Sequence, residues 1–232
     1  WYWLFKPLTM VIALVLVATS AYPSSARGQF ESKNLFLLVA ALAGSLAGDV
    51  FLMFQGFFIP GLVSFLVAHL FYVALFKSGQ QWFPHRGALV ATLGVGAAMY
   101  AFLWAGGLPP ALRAPVAAYV LVIALMAAQA IGRATVLRDT PSLLVAIGAG
   151  FFMLSDSLLA TNRFVLPLPM AQVWVLSTYY AAQALIVGGW LAHAAAAPGT
   201  GAQATHRAGD RRTPLPRDAA PAMAPETAAP SS

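Results

Sequence analysis

Cysteine is absent from the 232-residue chain. No disulfide can staple it, no thiolate can hold a metal, and the usual clue to redox compartment goes with it. Charge is nearly as scarce: Asp, Glu, Lys and Arg make up 9% of the residues, against about 25% in an ordinary soluble domain. There is no His-Glu-x-x-His signature and no Gly-x-Ser-x-Gly elbow, so neither a zincin nor a serine-hydrolase nucleophile is written locally. What is there is apolar. Hydrophobic residues form 60% of the chain and mean hydropathy is +0.76. That composition excludes a soluble globular domain and reads as an integral membrane protein. The net charge of +6 does not point to nucleic acid, because the basic residues fall between apolar runs or near the C-terminus, with no basic stripe or stacking platform.

Seven apolar runs, at about 4–22, 34–54, 58–77, 88–106, 111–131, 142–160 and 170–192, are long enough to cross a ~30 Å hydrocarbon core. Turn chemistry separates them, in stretches such as "YPSSARGQ", "QGFFIPG", "GGLPP" and "RDTPS". The expected fold is an all-α polytopic bundle of seven transmembrane helices over residues 1–195. Residues 196–232, rich in Ala, Pro and Arg, cannot bury a core and are expected to form a disordered cytoplasmic tail. The first run, with Lys6 before it and "TSA" at its end, has a signal-peptide reading as well. Its length and the closeness of the next run favour a retained helix.

Basic residues set the orientation. With seven spans, Lys6, Arg113 and Arg163 share one side, and the other ten of the 13 Lys and Arg lie opposite; without the four in the tail the bias is six to three. By the positive-inside rule the C-terminus is cytoplasmic and the N-terminus outside, in what reads as a bacterial inner membrane.

Against this background a few polar residues stand out. "LAGSLAGDVFLMF" (42–54) puts Asp49 in an otherwise apolar run, and "GFFMLSDSLLATNRF" (150–164) does the same with Asp156. A charge at membrane depth costs roughly 2.5–3.5 kcal/mol on insertion scales, so a matched pair calls for a function. The runs place both near the outer ends of their helices, with Asn162 and Arg163 following the sixth. His69 and Tyr72 lie one turn apart on the third helix, and Gln183 shares a face with Tyr179 and Tyr180 on the seventh. These polar groups also have structural readings: His, Tyr and Gln as interhelical glue, Lys6 and Arg163 as snorkelling cations. Together they are placed to line one cavity opening outward.

The motifs "KPLTM", "GDVFLM", "GLVSFLVAHLFYVALF", "LSDSLLATNRF" and "TYYAAQALIVGG", in that order, resemble the YhhN-like lysoplasmalogenase family from about Lys6 to Gly189. The resemblance implies a membrane bundle, often drawn with eight helices where this chain counts seven. It also implies hydrolysis of the vinyl-ether bond of a lysoplasmalogen, releasing a fatty aldehyde and glycerophosphoethanolamine or glycerophosphocholine. Carried over residue by residue, the motif aspartates fall on Asp49 and Asp156 and the motif histidine on His69. The Asn-Arg pair falls on Asn162 and Arg163, and the Tyr-Tyr-x-x-Gln set on Tyr179, Tyr180 and Gln183.

Vinyl-ether hydrolysis has its own demands. The β-carbon must be protonated, and the resulting oxocarbenium ion must be captured by water. That needs one neutral carboxylic acid and one ionised group, the division two carboxyls adopt when they share a low-dielectric site. Asp49, Asp156 and His69 are the catalytic candidates. Lys6, Tyr72, Asn162, Arg163, Tyr179, Tyr180 and Gln183 are the candidates for binding a lysophospholipid, with Lys6 and Arg163 toward its phosphate. No cofactor and no metal is expected; the partners are the lysophospholipid substrate and membrane lipids, and oligomeric state is open. The alternatives are a small-molecule or proton-coupled transporter, and a metal-dependent lipid hydrolase using Asp49, His69 and Asp156 as ligands.

Overall fold

The computed structural model describes the backbone of residues 2–20 and 29–196, with side chains for 9–19 and 32–196. Residues 197–232, nearly all of the expected tail, lie outside the described residues. Among the described residues the chain is entirely helical: α1 (Tyr2–Ser20), α2 (Gln29–Phe51), α3 (Phe58–Lys77), α4 (Arg86–Ala105), α5 (Pro110–Leu137), α6 (Thr140–Phe164) and α7 (Ala171–Ala196). Helices α2 to α7 are long and apolar enough to cross a membrane, whereas the described apolar part of α1, Thr9–Thr19, is shorter. The protein is an all-α polytopic membrane bundle.

Local chemistry sets the helix ends. Pro110 opens α5, where its missing N–H costs nothing. The Asp139 carboxylate caps α6 by accepting from the Ser142 N–H at 2.7 Å, and His85 Nδ1 accepts from Ala88 N–H at 2.9 Å to cap α4. Three boundaries differ from those expected. α2 stops at Phe51, so Asp49 lies two residues from the helix end rather than five. α6 runs on to Phe164, which puts Asn162 and Arg163 in its last turn rather than after it. α5 continues to Leu137, six residues past the apolar run, and swallows Arg133.

A buried cation inside a helix needs partners, and Arg133, 4% exposed, has them. Its Nη1 donates to Ser78 O at 2.7 Å and its Nη2 lies 3.0 Å from His193 Nε2. Its guanidinium stacks on Trp190, 4.9 Å from the ring centre. Ser78 in turn donates to Asn34 Oδ1 at 2.6 Å, and Gln129 joins α5 to Phe83 N and Gln81 O. This polar knot ties α2, α3, α5 and α7 at the end opposite the two aspartates.

In the bundle, α6 packs along α7 and α2 along α3, while α5 touches α3, α4 and α6. Small residues permit the approach. A Cβ on Gly148 would stand 2.9 Å from Ala182 O on α7, and one on Gly48 would stand 2.5 Å from the Phe65 ring on α3. The second contact matters for the site, because Gly48 precedes Asp49 and Phe65 is part of its wall.

Candidate active site

Asp49 and Asp156, 107 positions apart in sequence, line one cavity of about 540 Å³ counting its open mouth, with Ser155, Asn162, Gln172 and Tyr179 on its polar side and apolar residues such as Leu52, Phe65 and Val175 on the other. Each carboxylate receives a tyrosine. The Tyr179 hydroxyl donates to Asp49 Oδ2 at 2.8 Å, and the Tyr119 hydroxyl donates to Asp156 Oδ2 at 2.5 Å. Asp49 is 1% exposed, and the Tyr179 ring that holds it is set edge-on against Phe152 and Phe65. In the cavity wall Ser155 Oγ donates to Val175 O at 2.9 Å, fixing α6 to α7 one residue from Asp156.

A second space, about 780 Å³ counting its open mouth, runs between α3, α4, α5 and α6. Its walls are almost wholly apolar: Leu62, Val95, Met99, Leu103, Val116 and Ile123 are typical, with Arg163 at the end of α6. Leu52, Phe65, Asp156 and Leu159 belong to both walls. Asp156 is thus the carboxyl that faces an apolar groove on one side and, on the other, the cavity of mixed lining, called the polar cavity for its share of polar side chains. Asp49 faces the polar cavity alone.

The other expected residues separate into groups. Asn162 lines the polar cavity, but its Oδ1 accepts from Leu168 N–H at 2.9 Å and holds the α6–α7 connection. Arg163 is exposed at the groove mouth, its guanidinium 4.1 Å from the centre of the Phe58 ring. Tyr72 is fully buried and donates to Gln183 Oε1 at 2.6 Å, and neither of these two residues lines either of the two spaces. His69, also fully buried, lines neither. Its Nδ1 donates to Phe65 O at 2.5 Å and its ring lies edge-on to Phe152 and Tyr119, so it backs the site rather than opening onto it. Tyr180 is half-buried beside Tyr179. Lys6 lies outside the residues whose side chains are described. Among the described residues no three His, Asp or Glu side chains converge as metal ligands would, and Asp49, His69 and Asp156 do not form such a set.

Sequence reasoning missed Tyr119. A tyrosine in "AAYVLVIAL" looks like one more core residue, and its depth match with Asp156 emerges only from the true helix ends. Tyr119 is nine residues into α5 and Asp156 eight residues before the end of α6, so both sit about 12–14 Å from the same end of the bundle at 1.5 Å per residue.

Residues 1–190 match the family model described as the YhhN family. The chain belongs to the YhhN family. Among the relatives of this YhhN-family chain is human lysoplasmalogenase TMEM86B, 35% identical over 182 residues, which are 78% of this chain and 74% of that protein. Human lysoplasmalogenase TMEM86A is 34% identical over 171 residues, 72% of this chain and 65% of its own length. A lysoplasmalogenase of Mycobacterium tuberculosis is 32% identical over 160 residues, 66% of this chain and 59% of its own. The match to the last two thus spans less than two thirds of those proteins. No solved structure matches the chain.

Proposed function

We propose that this YhhN-family chain is a lysoplasmalogenase, a membrane enzyme that hydrolyses the vinyl-ether bond of a lysophospholipid to a fatty aldehyde and a glycerophospho alcohol. The observation that carries the reading is the position of Asp156, shared by an apolar groove and a polar cavity that also holds Asp49. A vinyl ether is apolar on its carbon side and polar on its glycerol side, and the two spaces meet where such a bond would lie.

In this reading the single chain lies in the groove, with the phosphate held at its mouth by Arg163. Asp156, as the neutral acid, gives its proton to the β-carbon of the double bond and leaves an oxocarbenium ion. Asp49, ionised in the polar cavity, takes a proton from water as the water adds to that ion. The hemiacetal hydroxyl then returns a proton to Asp156 while Asp49 protonates the departing glycerol oxygen, so both carboxyls end as they began. The aldehyde is left among apolar helices and the head group on the wet side. The same reading puts the protein in a bacterial cell membrane with the site toward the outside, a cytoplasmic C-terminus, and a tail beyond residue 196 that turnover does not need. The bias of Lys and Arg toward the opposite end supports it.

The test is to incubate the purified protein with a lysoplasmalogen and measure aldehyde, beside the alkyl-ether and ester analogues. Aldehyde from the vinyl ether alone supports the reading. Fatty acid released from the ester at a matching rate overturns it in favour of a general lipase.

A further inference from the structure

The two Tyr–Asp pairs are not equivalent, and the difference assigns a task to a residue that no motif names. Tyr119 is 8% exposed, and it lines the apolar groove together with Asp156 while Tyr179 lines only the polar cavity. Its ring is fixed by the edge of His69, at 5.4 Å between centres. Its hydroxyl donates to Asp156 Oδ2 at 2.5 Å, which assigns the proton for the substrate to the other oxygen, Oδ1. Such a bond changes character during the reaction. Before protonation of the substrate the phenol donates to a neutral carboxyl; as the proton leaves for carbon, the same phenol donates to a developing carboxylate, and a charge-assisted bond is about twice as strong as a neutral one. An interaction that strengthens only as the transition state forms speeds the step without tightening substrate binding.

We infer that Tyr119 is the positioning residue for the acid Asp156: it orients the carboxyl so that Oδ1 faces the β-carbon, and it stabilises the carboxylate as the proton departs. This rests on the vinyl-ether reading of the site. It also gives His69 a place as the support of the Tyr119 ring, which explains why a buried histidine faces neither cavity. Tyr179 performs the corresponding service for Asp49, which acts after the proton has moved.

Tyr119→Phe keeps the ring and its packing and removes only the donor. In the full chain, turnover should fall on the order of 10²-fold, the loss typical when one donor to a developing anion is removed, while KM stays within about twofold. A loss of that size confined to kcat supports the inference; turnover within about twofold of wild type overturns it. Site-specific fluorotyrosines at position 119 retain ring and hydroxyl, so they remain informative if the Phe variant folds badly. Log kcat should rise as the phenol becomes a stronger donor, and a turnover indifferent to fluorination leaves Tyr119 merely structural. Asp156→Asn, assayed beside them, separates the two levels. A dead Asp156→Asn with a normal Tyr119→Phe sinks the Tyr119 inference alone. An active Asp156→Asn sinks the acid assignment and the role of Tyr119 together.

Discussion

Replacing each aspartate by asparagine tests the division of labour between the two cavities. The structural cost should be small. An asparagine at position 156 still offers an oxygen to the Tyr119 hydroxyl, and one at position 49 still accepts from Tyr179, so neither variant orphans the tyrosine hydroxyl. The stability change should stay within about 1 kcal/mol, the scale of one net hydrogen bond. The chemical cost should be large. The amide of Asp156→Asn has no proton to give to carbon, and that of Asp49→Asn cannot take one from water. Each change should therefore lower turnover by at least ~10²-fold, about 2.7 kcal/mol of barrier. The roles predict different failures. If Asp49→Asn slows water capture, the oxocarbenium ion survives long enough to lose its β-proton back to Asp156. Vinyl ether recovered unreacted from heavy water should then carry deuterium at the β-carbon. Asp156→Asn, blocked one step earlier, should return undeuterated substrate. The assay is aldehyde release followed by mass spectrometry of the residual lipid, on monodisperse protein in detergent. Deuterium in the Asp156 variant and none in the Asp49 variant would reverse the assignment. Near-normal turnover in either folded variant would refute the two-carboxylate mechanism itself.

Arg163→Ala should raise KM by roughly 10- to 100-fold with little change in kcat, the loss of one charge-assisted phosphate bond; an unchanged KM in steady-state kinetics would remove Arg163 from the binding site. Gly148→Ala would set its Cβ 2.8 Å from Ile186 Cγ1 and 2.9 Å from the backbone at Ala182 O, and since backbone cannot swing aside, thermal melts should show a loss of about 1–3 kcal/mol. Asp139→Ala should cost about 0.5–2 kcal/mol as a lost helix cap. Burial alone would push the Asp139 carboxyl up, but the Ser142 hydrogen bonds, helped by His193 and Arg133, outweigh it and hold it below its ordinary value. A lowered folded value means that its stabilisation is present above the unfolded value and fades as pH falls through the folded one. The gap between wild type and Asp139→Ala in melting temperature should therefore be full near neutrality and close in acid, and a gap indifferent to pH would discount the carboxylate.

Most of the fold was legible because a bilayer leaves the chain few options. An apolar run of about 20 residues with no internal breaker must satisfy its own backbone, and the helix is the way to do so. The misplaced ends show where that logic runs out. Arg133 looked like a loop residue because a lone cation is costly in a membrane, and only tertiary structure supplies Ser78, His193 and Trp190 to hold it. α2 looked longer than it is because "LMF" after Phe51 is as apolar as the helix before it, yet the chain turns there so that Leu52 can join the wall of the site.

The site was legible in proportion to how strange each residue was where it stood. A carboxylate among leucines signals itself, so both aspartates could be found without knowing that they share a cavity. Tyrosine, histidine and glutamine signal less, because in a membrane each can be satisfied by another of its kind. Tyr72 and Gln183 were placed at the site by helical spacing, and they are close to it, but the bond they make is to each other across α3 and α7. Spacing along one helix says which residues share a face; it does not say what that face meets. Tyr119 makes the same point from the other direction. Nothing on its own helix marks it, and its meaning comes from Asp156, 37 positions away, held 2.5 Å from its hydroxyl by the packing of α5 on α6. The depth count that pairs these residues needs only helix ends and chain direction. On the apolar runs alone Tyr119 lies eight residues from its end and Asp156 four, and only the extension of α6 to Phe164 brings the two to one depth.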